Sequence, residues 1–171
     1  MPIVDILGDK AICYRMEITD LLLAARTGFW SKVSDSLSEE LLIMPNNIGA
    51  TTIHVAAWHG TLDGIPKSLL TERVLSAQGH HHIYADEMPV NQLHKSTALH
   101  LAAGQGNLSQ LPKQLLTEAN FRWSDKSGET VLHIAALNHL DQVPVEVMTL
   151  ENMTIKNSSK NNPTPLGISC S

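Results

Sequence analysis

Thr97-Ala98-Leu99-His100-Leu101-Ala102-Ala103 is the stretch around which this chain is organised, because it recurs. Thr130-Val131-Leu132-His133-Ile134-Ala135-Ala136 is a near copy, and Thr51-Thr52-Ile53-His54-Val55-Ala56-Ala57 is another. Weaker copies stand at Thr19-Asp20-Leu21-Leu22-Leu23-Ala24-Ala25 and at Thr164-Pro165-Leu166-Gly167-Ile168-Ser169. The leading threonines are 32, 46, 33 and 34 residues apart. Self-similarity at such a period marks stacked units, each of which buries its apolar face only against its neighbours.

The residue types explain the unit. Threonine ahead of an apolar run is an N-cap, since its hydroxyl accepts from an unpaired amide of the first helical turn. In the last copy Pro165 follows it, where a missing N–H costs nothing. Ile53, Leu99, Leu132 and Leu166 are expected core anchors, and the paired alanines keep the helix thin enough for a close neighbour. Glycine should then end the helix in a left-handed conformation at Gly28, Gly60 and Gly106. His139 takes that place in the fourth copy. The T-x-L-H-x-A-A string at this period resembles the ankyrin repeat family, over roughly residues 19–171. The resemblance implies an all-α solenoid of helix-turn-helix repeats with hairpin-like fingers, four repeats plus a partial C-terminal fifth.

A second apolar group follows each glycine. Leu62 to Leu70, Leu108 to Leu116 and Leu140 to Met148 each carry a proline, Pro66, Pro112 and Pro144. Proline is excluded from a helix interior, so a short outer helix is expected to begin at it. Phe29 and Trp30 open the corresponding segment of the first copy. Thr71-Glu72, Thr117-Glu118 and Thr149-Leu150 read as caps of one further helical turn. The departure from the usual pattern is systematic, as in a divergent subfamily.

The expected organisation is one domain over 1–171. Residues 1–18 carry Ile3, Val4, Ile6, Leu7, Ile12 and Met16 and should cover the first layer as a capping segment. Repeats are expected at 19–50, 51–96, 97–129 and 130–163, with a partial capping repeat at 164–171. Turns rich in Asn, Asp and Gly precede the threonines at Asn46-Asn47-Ile48-Gly49 and Asp125-Lys126-Ser127-Gly128, with Asn161-Asn162-Pro163 ahead of the last. The second copy holds about thirteen additional residues, placed at 78–91. An insertion must leave a stack, so this is expected to be an enlarged finger.

Composition narrows the function. The 171 residues are 43% apolar with a net charge of -5, which describes a globular chain rather than a disordered one. An acidic excess lacks the basic face that phosphate neutralisation requires, so nucleic acid is not an expected partner. No run approaches the ~20 apolar residues of a membrane span. Cys13 and Cys170 should lie far apart in a stack, so reduced thiols and a cytoplasmic location are expected.

His54, His100 and His133 recur once per unit, which suits a structural hydrogen-bonder; the resemblance implies that each ties its repeat to adjacent turns. No nucleophile elbow, phosphate loop or carboxylate pair is present, so a non-enzymatic protein without cofactor is expected. His80, His81, His82 and His94, with Asp86 and Glu87, are suitable zinc or nickel ligands, although three consecutive histidines point in different directions. They can equally present imidazoles to a partner. In the resembled family, Trp58 and His59 fall where the inner helix faces a groove, as do Gln105, Leu137 and Asn138. Trp58 either anchors a partner or packs beneath the insertion. Trp123 reads as packing. Lys126, Ser127 and Glu129 are finger-tip positions.

The expected function is binding of another protein through a concave groove and the enlarged finger, with modulation or inhibition of that partner. The contact set is Trp58, His59, His80, His81, His82, Tyr84, Gln105, Lys126, Leu137 and Asn138. A monomer is expected. The alternatives are a metal-binding protein using the histidine-rich insertion and a self-assembling repeat protein.

Overall fold

Five copies of the threonine motif produce five helices stacked side by side. A computed structural model describes residues 19–46, 49, 51–79, 96–157 and 163–169. The inner row runs α1 (19–27), α3 (Thr52–His59), α5 (Ala98–Gly104), α7 (Val131–Asn138) and α9 (Pro165–Ser169). Thr97 and Thr130 cap as expected, each hydroxyl accepting from the N–H of the histidine three residues on. The helix α5 packs between α3 and α7, and α7 packs on α9. Ala56, Ala57, Ala102, Ala103 and Ala135 are fully buried along that row, beside Ile53 and Leu99. Close helix packing through alanine therefore forms the core.

The outer row is short: α2 (Glu39–Ile43), α4 (Glu72–Leu75), α6 (Glu118–Phe121) and α8 (Leu150–Met153). Ser38, Thr71, Thr117 and Thr149 cap them by accepting from Leu41, Val74, Asn120 and Asn152 N–H groups. The expectation that an outer helix starts at the proline needs correction. Two 3-10 turns, such as Leu62–Gly64 and Lys67–Leu69, precede each of α4, α6 and α8. Proline drives the residue before it out of the helical region. Ile65, Leu111 and Val143 are accordingly extended, and Pro66, Pro112 and Pro144 have ψ of 128°, 131° and 137°. Each proline is then the N-cap of the second 3-10 turn, its carbonyl accepting from the N–H three residues on. A helical turn does begin there but is a single 3-10 turn, and the α-helical turn starts only after the threonine.

Gly28, Gly60 and Gly106 take the expected positive φ, 77°, 70° and 73°. His139 does not stand in for a fourth such glycine. It has φ of -136° and stands directly ahead of the Leu140–Gln142 turn, as Thr61 stands ahead of Leu62–Gly64 and Asn107 ahead of Leu108–Gln110. The residue missing from the fourth copy is thus the glycine itself. His139 occupies the place of Thr61 and Asn107, with its ring against Gly106.

Between layers the chain forms narrow fingers closed by single antiparallel bridges, Pro45 with Thr51, Gln78 with Thr97 and Ser124 with Thr130. Five residues lie within the first and third fingers and eighteen within the second. Residues 80–95, with His80, His81, His82, Tyr84, Asp86, Glu87 and His94, lie outside the described residues, as do 1–18, Cys13 and Cys170.

Candidate functional site

The three motif histidines join helix to finger. His54 Nε2 meets Ser96 O at 3.1 Å, His100 Nε2 meets Glu129 O at 3.2 Å, and His133 Nε2 meets Pro163 O at 3.2 Å. Each carbonyl is that of the residue immediately before the leading threonine of the next copy. A carbonyl only accepts, so Nε2 carries the proton. The other ring nitrogen then accepts, from Thr97 N–H to His100 and from Thr130 N–H to His133. His100 is buried, which pushes its pKa down against smaller upward pulls from the Glu129 carbonyl and Asp125. His133 is shifted the same way by burial. These rings are neutral, saturated with hydrogen bonds and committed to structure.

What they hold in place is a concave groove of about 310 Å³. Its floor comes from the inner helices: Trp58 of α3, Leu101 and Gly104 of α5, and Ile134 and Leu137 of α7, with Gln105 just beyond α5. Its wall comes from the fingers, through Ser96, Asp125, Ser127 and Glu129. Asp125 shapes the third finger, its Oδ1 accepting from Ser127 N–H at 2.8 Å and Glu129 N–H at 3.0 Å. Trp58 is half-buried against the core while still lining the groove, and Leu137 is 56% exposed. Trp58 therefore packs on the core and presents a face to the groove, while the insertion beneath which it was expected to pack lies outside the described residues.

The structure brings Trp58, Gln105 and Leu137 together. His59 is exposed at the end of α3, outside this cavity, with its pKa lowered by partial burial and by Arg26. Lys126 is exposed on the finger and does not line the cavity. Asn138 ends α7. Trp123 packs on the core. Two lining carboxylates, Asp125 and Glu129, were not singled out from sequence as groove residues, because finger positions carry no periodic signal. Among the described residues no cluster of three or more His, Cys, Asp or Glu is arranged to hold a metal.

A second hollow, about 760 Å³, lies on the outer side between the third and fourth copies, with Leu108, Leu111, Leu116, Val143 and Val147 among its walls. Cross-layer polar ties run along this side. Gln110 donates to Gly60 O and accepts from Leu62 N–H, and Asn107 donates to Ala57 O. Arg122 joins α6 to α8 through Glu118, Glu151 and Asn152.

A stack of capped inner helices, αL glycines and bridged fingers defines a class of repeat protein. Residues 71–145 match the family model for ankyrin repeats, in 3 copies. That match spans 75 of the 171 residues and supports an ankyrin repeat family. Ankyrin repeats are generally protein–protein interaction modules and typically non-enzymatic. No curated protein matches the sequence. Among the described residues no helix is long and apolar enough to cross a membrane.

Proposed function

We propose that this chain is a non-enzymatic cytoplasmic module that holds a partner protein in its concave groove and thereby modulates or inhibits it. The enlarged finger at 78–91 adds contacts beside the groove. One observation carries the reading: Trp58, Gln105 and Leu137, from three successive layers, line a single cavity walled by the third finger. A half-buried tryptophan ringed by polar groups has the composition of an interface hot spot. The groove is also preformed, because each histidine ties an inner helix to the next finger, and a rigid site loses less entropy on binding.

Affinity capture from a lysate of the source organism tests this, comparing wild type with a Trp58→Ala, His80–82→Ala variant. A protein retained by wild type and lost from the variant is the expected result. Equal retention by both places the partner elsewhere and ends the groove reading.

One observation favours self-association as a second reading. Lys67 and Lys113 follow the prolines of the second and third copies, whereas Val145 follows that of the fourth. Glu72 and Glu118 likewise give way to Leu150. Val145 and Leu150 are each 76% exposed. Charges flanking the internal layers are thus replaced by apolar groups on the last outer layer. A sedimentation series over concentration decides it: a constant monomer mass removes this reading.

A further inference from the structure

Resting on the groove reading above, we infer that the groove selects a partner segment that presents a lysine or arginine side chain beside an apolar one. The cavity wall carries two carboxylates, Asp125 and Glu129, and among the described residues its lining contains no lysine or arginine. None of the ion pairs among the described residues reaches either acid; those pairs fall on Arg73 and Arg122, in the outer row. Asp125 uses Oδ1 for the finger's backbone, and Glu129 accepts from Asn157 Nδ2 through Oε1 at 3.2 Å. Each keeps a second oxygen that no hydrogen bond among the described residues uses. The negative charge is therefore held in place by the finger inside a concave site, and no ion pair among the described residues compensates it. Low-dielectric walls strengthen such a field toward a cation.

The floor supplies the rest of the recognition. Trp58 offers the ring best suited to a cation at its face. Leu137 and Ile134 offer apolar surface for the neighbouring side chain or for the methylene stem of the basic residue. An acidic partner residue would meet two like charges, so the same groups supply rejection as well as attraction. Lys126 does not cancel them, since it stands exposed outside the cavity lining.

The test uses the full chain and a phage-displayed library of random decapeptides. Enriched peptides are resynthesised and measured by fluorescence polarisation, together with analogues carrying glutamine for the basic residue. Selected peptides should share one lysine or arginine position with an apolar neighbour. Asp125→Asn with Glu129→Gln should weaken binding by about tenfold or more, and so should the glutamine analogue. Both amide variants keep the oxygen that accepts from Ser127, Glu129 or Asn157, so the finger remains formed. Raising salt from about 0.05 to about 0.5 M should weaken wild type more than the double variant.

Peptides without a basic position, or peptides bound equally by the double variant, overturn the cation assignment. If Trp58→Ala and Leu137→Ala still weaken those peptides, groove binding itself stands. Peptides indifferent to all four substitutions overturn both. Binding that occurs only after residues 80–94 are deleted overturns the assignment too, since the chain's own insertion would then be the occupant.

Discussion

His100→Leu tests whether the repeated histidine is structural. The ring holds two partners at once: Nε2 donates to Glu129 O at 3.2 Å, and Nδ1 accepts from Thr97 N–H at 3.2 Å. Leucine has comparable size and leaves little cavity, so the substitution isolates the polar loss. A buried group deprived of its hydrogen bond costs about 1–3 kcal/mol. Thr97 is 3% exposed and His100 2% exposed, so water replaces neither bond readily. Two such losses amount to a destabilisation of about 3 kcal/mol. Urea unfolding of the full chain reads this as a lower midpoint at unchanged slope. With a slope of about 1–3 kcal/mol/M the shift is about 1–3 M. His59→Leu, on an exposed side chain, is the control and should fall within about 0.5 kcal/mol. A His100→Leu loss no larger than the control's would refute the structural role.

Protonation should act in the same direction. Burial lowers the folded-state pKa of His100 and His133, so the folded state favours the neutral ring. Their contribution is complete above the unfolded value of about 6.5. It is lost as pH falls from there toward the folded values, at up to about 1.4 kcal/mol per pH unit for each ring. Urea midpoints between pH 7.5 and 5 should fall, and the fall should shrink in a His100→Leu, His133→Leu double variant. Gly64→Ala should destabilise by about 2 kcal/mol, because its Cβ would lie 2.0 Å from Trp30 Cδ1. Trp30 is pinned by its own bond to Thr61 O, and a thermal melt unchanged by the alanine would contradict that packing. Thr130→Val removes the cap of α7 and should cost about 1 kcal/mol, read by the same melt.

The inner row was legible because its determinants are local. A threonine, a histidine three residues on and an alanine pair fall within seven positions, so their repetition is visible without coordinates. The histidine's role was legible too, since a residue repeated once per layer serves the layer. The outer row was not. Proline forbids a helix on its N-terminal side, but sequence does not say whether the chain turns or runs straight after it. After Pro66, Pro112 and Pro144 the chain makes one 3-10 turn before the α-helical turn begins. Counting from Thr130 cannot separate a replaced glycine from a deleted one; the place of His139 directly ahead of the Leu140–Gln142 turn, with its ring against Gly106, does. Ties across some fifty residues, such as Gln110 to Gly60 O and Lys67 to Gln110 O, have no local signature.

At the groove, the family resemblance placed Trp58, Gln105 and Leu137 from sequence. Glu129 was read only as a finger-tip position, and Asp125 only as a turn residue, because a finger turn explains an aspartate without reference to any cavity. Asp125 serves both ends, capping the turn with one oxygen while its side chain lines the groove.

Site-specific photo-crosslinking tests the central claim most directly. A benzophenone amino acid is placed at Leu137 in the groove or at Val145 on the outer row, and the full chain is irradiated in a lysate of the source organism. Both positions are well exposed, at 56% and 76%, so both tolerate the probe. An adduct of one defined protein from position 137, absent from position 145 and competed by a groove-binding peptide, is the expected result. Adducts from position 145 alone would contradict the assignment of the concave face as the binding surface.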